Sequence, residues 1–289
     1  MTAGNALTPL NSRVVVDRAR RLTDACHWQG HIPLAFFLIE LLAPRRLVEL
    51  GTWKGDSYCA FCQAIDTLGL DTRATAVDTW RGDVQTGPYG PDVLDELRTY
   101  HDPRYGHFSD LLQATFDEGL EHIDDRTVDL LHIDGAHEYD AVKHDLESWL
   151  PKLTDRAVVL LHDTHVREPY FGVWRLWEEI SGRHPSFAFP HSFGLGVVSM
   201  GVRPDQSVVD FLGSAATDGG ALARLFAALG ERVASQRGEV RYVEQRAEVA
   251  QMQFELDAAV KEVATLRAMR TFRYTAPLRA LYARVFPSD

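Results

Sequence analysis

The stretch Glu49-Leu50-Gly51-Thr52-Trp53-Lys54-Gly55-Asp56-Ser57 sets a carboxylate two residues before a glycine and a second glycine four residues further on. At a strand-to-helix turn, glycines let a ligand approach the backbone, and the first N–H groups of the helix face it. A dinucleotide turn carries G-x-G-x-x-G to seat a pyrophosphate. Here the second glycine is missing, and an acid at the strand end suits a cation better than a phosphate. Asp78, with Thr79 beside it, ends a second apolar run at Ala76-Val77-Asp78. A carboxylate at that place is where nucleotide-binding α/β folds hydrogen-bond a ribose. The combination reads as a seat for a nucleoside that carries positive charge and no phosphate, which is the chemistry of S-adenosylmethionine (SAM).

A second group lies further along the chain, at Asp134 and at His162-Asp163-Thr164-His165. Each follows a β-like run, at the carboxyl edge where open α/β sheets bind ligands. Alternation along an extended strand would point Asp163 and His165 to one side. Two carboxylates converging near a hydroxyl make a Mg²⁺ site of Asp134 and Asp163. Such a metal would acidify the hydroxyl, and His165 or His137 would take the proton. A two-His, one-carboxylate iron set from His162, Asp163 and His165 is disfavoured, because the same alternation sends His162 away from His165. Cys59-x-x-Cys62 has no second pair and reads as buried thiols in a helix. Most histidines, among them His101, His107, His122 and His184, read as loop or surface residues, and His132 as a core-facing strand position. Trp174 and Trp177 read as core, while Trp80 and Tyr89 are candidates for stacking on a sugar ring.

The elements that must position these residues alternate short β-like runs with helical ones, the pattern of a parallel sheet with crossover helices. The runs are Arg46–Leu50, Ala74–Val77, His107–Gln113, Val128–Ile133, Ala157–Leu161 and Gly194–Ser199. Helices are expected at Leu7–Gln29, Pro33–Leu42, Phe116–Ile123 and Val142–Leu153, and again around Trp174–Ile180. Asp83–Arg104 reads as an irregular insert. The expected organisation is an N-terminal helical cap (1–43), a doubly wound, mostly parallel α/β domain (44–203) and a helical tail (204–289). In the tail, Val249, Met252, Leu256, Ala259, Val263 and Leu266 follow coiled-coil spacing, although a single amphipathic helix fits as well.

With these residues in place, a resemblance becomes specific. Val48–Ser57, Ala76–Asp83, Asp129–Trp149 and Val158–His165 resemble the class I SAM-dependent methyltransferases, most closely the bacterial group of macrocin-type and glycan-cluster sugar O-methyltransferases. Ala76-Val77-Asp78-Thr79-Trp80-Arg81-Gly82-Asp83 and His132-Ile133-Asp134-Gly135-Ala136-His137-Glu138-Tyr139 carry most of it, with Phe171–Glu178 in support. The resemblance implies a Rossmann-like fold and methyl transfer from SAM to a hydroxyl of a glycan or glycosylated metabolite. It implies that Glu49, Gly51, Thr52 and Gly55 line the methionine side of SAM and that Asp78 binds its ribose; Thr115 is a guess at the adenine side. It also resembles the metal-dependent O-methyltransferases, but Thr164 stands where those enzymes carry the second member of an acidic pair. Two rivals are a metal-dependent hydroxylase-like enzyme and a SAM-binding scaffold that acts through its tail.

Composition sets the remaining bounds. The chain has 289 residues, 45% hydrophobic and 25% charged, as a globular protein does. Thirty Lys and Arg against 41 Asp and Glu leave a net charge of −11, which argues against nucleic acid as the main partner. Three cysteines and no signal-like N-terminus point to the cytoplasm. The end of the chain differs. Arg267, Arg270, Arg273, Arg279 and Arg284 flank an apolar helical face of Leu278, Leu281, Tyr282, Val285 and Phe286. That face suits the anionic inner surface of a membrane. It suits still better packing on the chain's own domain or on a second copy, and the tail helix offers a homo-oligomer seam.

Overall fold

The computed structural model describes residues 6–83 and 87–268. Seven strands form one sheet: β1 (Arg46–Leu50), β2 (Arg73–Asp78), β3 (Ser109–Gln113), β4 (Val128–Ile133), β5 (Leu153–His162), β6 (Ser186–Phe189) and β7 (Leu195–Ser199). Their order is β3-β2-β1-β4-β5-β7-β6. The first five run parallel, and β7 is antiparallel to both its neighbours. This is the doubly wound, mostly parallel, Rossmann-like architecture that the sequence predicts.

Strand alternation divides the core into two layers. Leu47, Ala76, Leu130, Val158, Leu160 and Val197 pack with helices α1 (Ile32–Leu42), α2 (Asp56–Leu68) and α7 (Gln206–Thr217). Val48, Leu50, Val77, Leu131, Ile133, Val159 and Leu161 pack on the other face, against α5 (Tyr139–Trp149) and α6 (Val173–Ser181). Glu49 and His132 stand opposite each other in the register of β1 and β4.

Several elements differ from the sequence reading. Leu7–Gln29 is not a helix; among the described residues only a 3₁₀ turn, Gln29–His31, precedes α1. Side chains of the folded body hold this segment instead. Glu40 accepts from Ser12 Oγ at 2.6 Å, Gln63 from the Arg20 amide at 2.8 Å and Asp56 from the Thr23 amide at 2.8 Å. The expected irregular insert contains helix α3 (Asp92–Tyr105), which buries Leu94, Leu97, His101 and Tyr105 at helical spacing amid charged residues. His101 is therefore interior, with Nε2 2.8 Å from Ser109 Oγ. Trp80 is buried, its indole N–H donating to the Trp53 carbonyl, and offers no face for stacking. Cys59 and Cys62 are buried on α2.

The chain divides at a different place from the three-part expectation. Among the described residues, one compact unit ends at Gln236 and a second begins at Arg237. Helix α1 is interior sheet packing rather than a cap, and the first turns of α8 (Ala221–Ala268) bury Phe226 and Val233 in the first unit. Within the second unit the helix exposes Met252 and Val263, two positions of the coiled-coil spacing. The basic apolar face of 278–286 lies outside the described residues. No helix among those described is long and apolar enough to cross a membrane.

Candidate active site

The turn after β1 is shaped by close approach. Gly51 has φ +84°, and a Cβ there would collide with the carbonyl of Asp134. Gly55, at φ +79°, would meet the side chain of Leu97. Asp78 holds the turn between them. Its Oδ2 accepts from the amides of Thr52 at 2.8 Å and Trp53 at 2.9 Å, and its Oδ1 from that of Trp80 at 2.7 Å. A carboxylate offers about four acceptor positions, so about one remains for a ribose. Glu49 also faces inward. It is fully buried, accepting from Thr52 Oγ1 at 2.9 Å and His132 Nδ1 at 2.8 Å. Because the Trp28 indole donates to His132 Nε2 at 3.2 Å, His132 carries its proton on Nδ1. Burial pushes the Glu49 carboxyl up, and His132 pulls it back.

The acidic centre forms where β4 and β5 end. His162 Nδ1 lies 3.1 Å from Asp134 Oδ1 and 3.4 Å from Asp163 Oδ1, and its Nε2 lies 3.1 Å from the Ser192 carbonyl. Acceptors at both ring nitrogens require both to carry protons. The two carboxylates accordingly outweigh burial and hold the His162 imidazole well above its ordinary pKa. His137 Nε2 sits 2.8 Å from Asp163 Oδ2, with its ring stacked on Phe171 at 4.7 Å. Against the opposing effect of burial, Asp134 and Asp163 raise His137 to about 9. In return the histidines hold both carboxyls below the usual range despite burial, Asp134 the further.

One ligand atom from each of Asp134, His162 and Asp163 can be chosen so that all three lie within 4.8 Å of one another. Once Nδ1 of His162 gives up its proton, two carboxylates and an imidazole fit a divalent cation, and the imidazole favours Mn²⁺, Fe²⁺ or Zn²⁺ over Mg²⁺. These residues share a cleft of about 560 Å³ with Thr52, Trp53, Asp56 and Ser57 from the turn and the start of α2. His27, Trp28, Phe171 and Phe193 add aromatic rings to its wall, and Glu168 a further carboxylate.

The structure thus brings Thr52, Asp134, His137 and Asp163 together. Glu49, Gly51, Gly55, Asp78 and Thr79 are not among the lining residues; Gly51 and Gly55 shape the turn, and Glu49 and Asp78 hold Thr52 and Trp53 through hydrogen bonds. His165 is also apart: it is exposed, its amide donates to the Phe193 carbonyl at 2.9 Å, and its ring nitrogen lies 3.3 Å from Thr164 Oγ1. The alternation fails because Asp163 has φ +61°, so the strand ends at His162 and the chain turns. His162, directed away by that alternation, becomes the central cation. Thr164 is buried, close to Gly194 and Gly196. Thr115 caps α4 (Phe116–Gly119) in a reciprocal bond with Glu118. Trp53, His27 and Phe193 carried no sequence signal, since their neighbours come from distant segments.

The chain is 44% identical over 223 residues to the uncharacterized protein y4gI of Sinorhizobium fredii, a match covering 75% of this chain and 24% of that protein. The chain thus spans about a quarter of the length of this curated relative. Among solved structures, it is similar to the calicheamicin methyltransferase CalS11 at 16% identity and a TM-score of 0.48, over 61% of this chain and 80% of the other. It is also similar to the O-methyltransferase TomG of Streptomyces achromogenes at 17% identity and a TM-score of 0.44, over 63% and 91%. Residues 48–164, which run from β1 through the glycine turn, Asp78 and Asp134 to the residue after Asp163, match the family described as a methyltransferase domain.

Proposed function

We propose that this chain is a SAM-dependent methyltransferase acting on a hydroxyl group, with a sugar of a glycan or glycosylated metabolite as acceptor. The observation that carries the proposal is the methyltransferase-domain match over 48–164, the segment that brings Thr52 and Trp53 into one cleft with Asp134, His137 and Asp163. SAM supplies a methyl group on a sulfonium, already a good leaving group, so alignment does much of the work, worth up to ~7–11 kcal/mol. Thr52, Asp56 and Ser57 offer the polar wall for it. Trp53, His27, Phe171 and Phe193 offer aromatic faces to a sugar ring.

Asp134 and Asp163 orient the acceptor hydroxyl, and His137 receives its proton. At neutral pH His137 already holds a proton, so it serves as base only after losing it. A divalent cation held by Asp134, His162 and Asp163 would supply the charge that lowers both the His137 and the hydroxyl pKa.

The test is transfer of labelled methyl from SAM to a panel of sugar nucleotides and glycosides, with SAM binding followed by calorimetry. Micromolar SAM affinity is expected, with Asp163→Asn abolishing transfer and leaving that affinity within about threefold. Absence of SAM binding would overturn the reading. The imidazole among the cation donors also favours the hydroxylase-like alternative, for which Fe²⁺-dependent oxygen uptake would speak.

A further inference from the structure

The strands begin at a second cleft, at the edge of the sheet opposite the acidic centre. Its volume is about 1020 Å³, and six arginines and two aspartates are its charged lining residues. On a chain of net charge −11, this concentration of positive charge is local.

We propose that this cleft binds a phosphate-bearing anion, with a diphosphate as the best match. Both acids are already engaged by the protein. Asp155 pairs with Arg126 and Arg203. Asp129 accepts from Arg156 Nη2 at 2.9 Å, from Thr154 Oγ1 at 2.8 Å and from the Arg45 amide at 2.8 Å. The guanidiniums of Arg45, Arg46 and Arg73 have no carboxylate partner among the described residues; Arg73 donates only to the His107 carbonyl, at 3.2 Å.

Arg46 and Arg73 are also register partners at the first positions of β1 and β2. Like charges placed opposite each other in a sheet repel and destabilise it. An anion between them converts that repulsion into two charge-assisted contacts, and the planar guanidinium fork suits phosphate oxygens. Three uncommitted cations match a diphosphate better than a single phosphate, and the cleft has room for the larger group.

The experiment is calorimetric titration of the full chain with sodium pyrophosphate, inorganic phosphate and uridine diphosphate at matched ionic strength. The variants are Arg46→Gln/Arg73→Gln and, as a surface control, Arg98→Gln. Saturable pyrophosphate binding with a dissociation constant below about 1 mM is expected, weakened about tenfold or more in the double variant and unchanged in the control. The double variant should also melt higher than the parent without ligand, since a repulsion has been removed, which shows that it folds. Tighter binding of uridine diphosphate identifies a nucleotide as the source of the anion; equal binding identifies a free phosphoanion. No saturable binding, or equal affinity in the double variant, overturns the proposal.

Discussion

At the scale of single residues, the sheet's carboxyl edge is organised by acids whose partners lie within the protein. Asp78 ties the glycine turn to the end of β2 through three amides. Replacing it with Asn halves the acceptor capacity and removes the charge. Asp78→Asn should therefore lower unfolding free energy by about 1–3 kcal/mol, measured by urea denaturation without ligand. A residue that only touched ribose would weaken SAM and leave this stability unchanged. The second expectation concerns protons and cations. A cation held by Asp134, His162 and Asp163 displaces the Nδ1 proton of His162 and repels the proton on His137, so its binding releases protons. Below about 9 the folded protein holds that proton, and Mn²⁺ affinity should rise as pH increases from 6.5 to 8.5. His137→Gln should make the dependence shallower and leave the part due to His162, as read by calorimetry in two buffers of different ionisation enthalpy.

At the scale of elements, helix α5 carries a polar group at a cost. Asp145 is buried there, and its carboxyl is pushed up to about 6, chiefly by burial; His144 lowers it and Asp117 raises it. The folded protein thus binds a proton more tightly than the unfolded chain, whose aspartates titrate near 3.9. Stability contributed by this group is present below about pH 4 and is lost as pH rises towards 6. Asp145→Asn should remove that slope and raise stability at pH 7 by about 1–3 kcal/mol, observed as a higher melting temperature at pH 7 and little change at pH 4.

At the scale of the molecule, the compact unit ends at Gln236. Phe211 of α7 and Phe226 of α8 close the same layer that holds α1, and Gln236 Nε2 donates to the Ala19 carbonyl at 2.6 Å. A chain ending at Gln236 should keep a single cooperative unfolding transition. A chain ending at Arg203 should lose it, because it exposes Val208, Phe211, Leu212, Phe226 and Val233 partners at about 1.5–3 kcal/mol for each large side chain. Circular dichroism melts of the two chains separate these outcomes.

Local pattern along the chain is enough to specify part of this architecture. The runs of β1 and β4 are legible to the residue, because strands buried on both faces are near-continuous apolar stretches. The glycine turn and the convergence of Asp134 with Asp163 followed from element spacing in a parallel sheet. Tertiary structure decided the rest. Helix α3 is hidden because its buried residues are few among charged ones, and they become a face only when packed into the core beside α2. Segment 7–29 stays irregular because Glu40, Gln63 and Asp56 supply its hydrogen bonds from distant positions. His162 replaced His165 at the acidic centre through one dihedral, φ +61° at Asp163, which ends the alternation on which the sequence reading relied. The direction of a side chain at a strand end depends on where the chain turns, and contacts remote in sequence set that turn: here the amide of His165 docks on the carbonyl of Phe193.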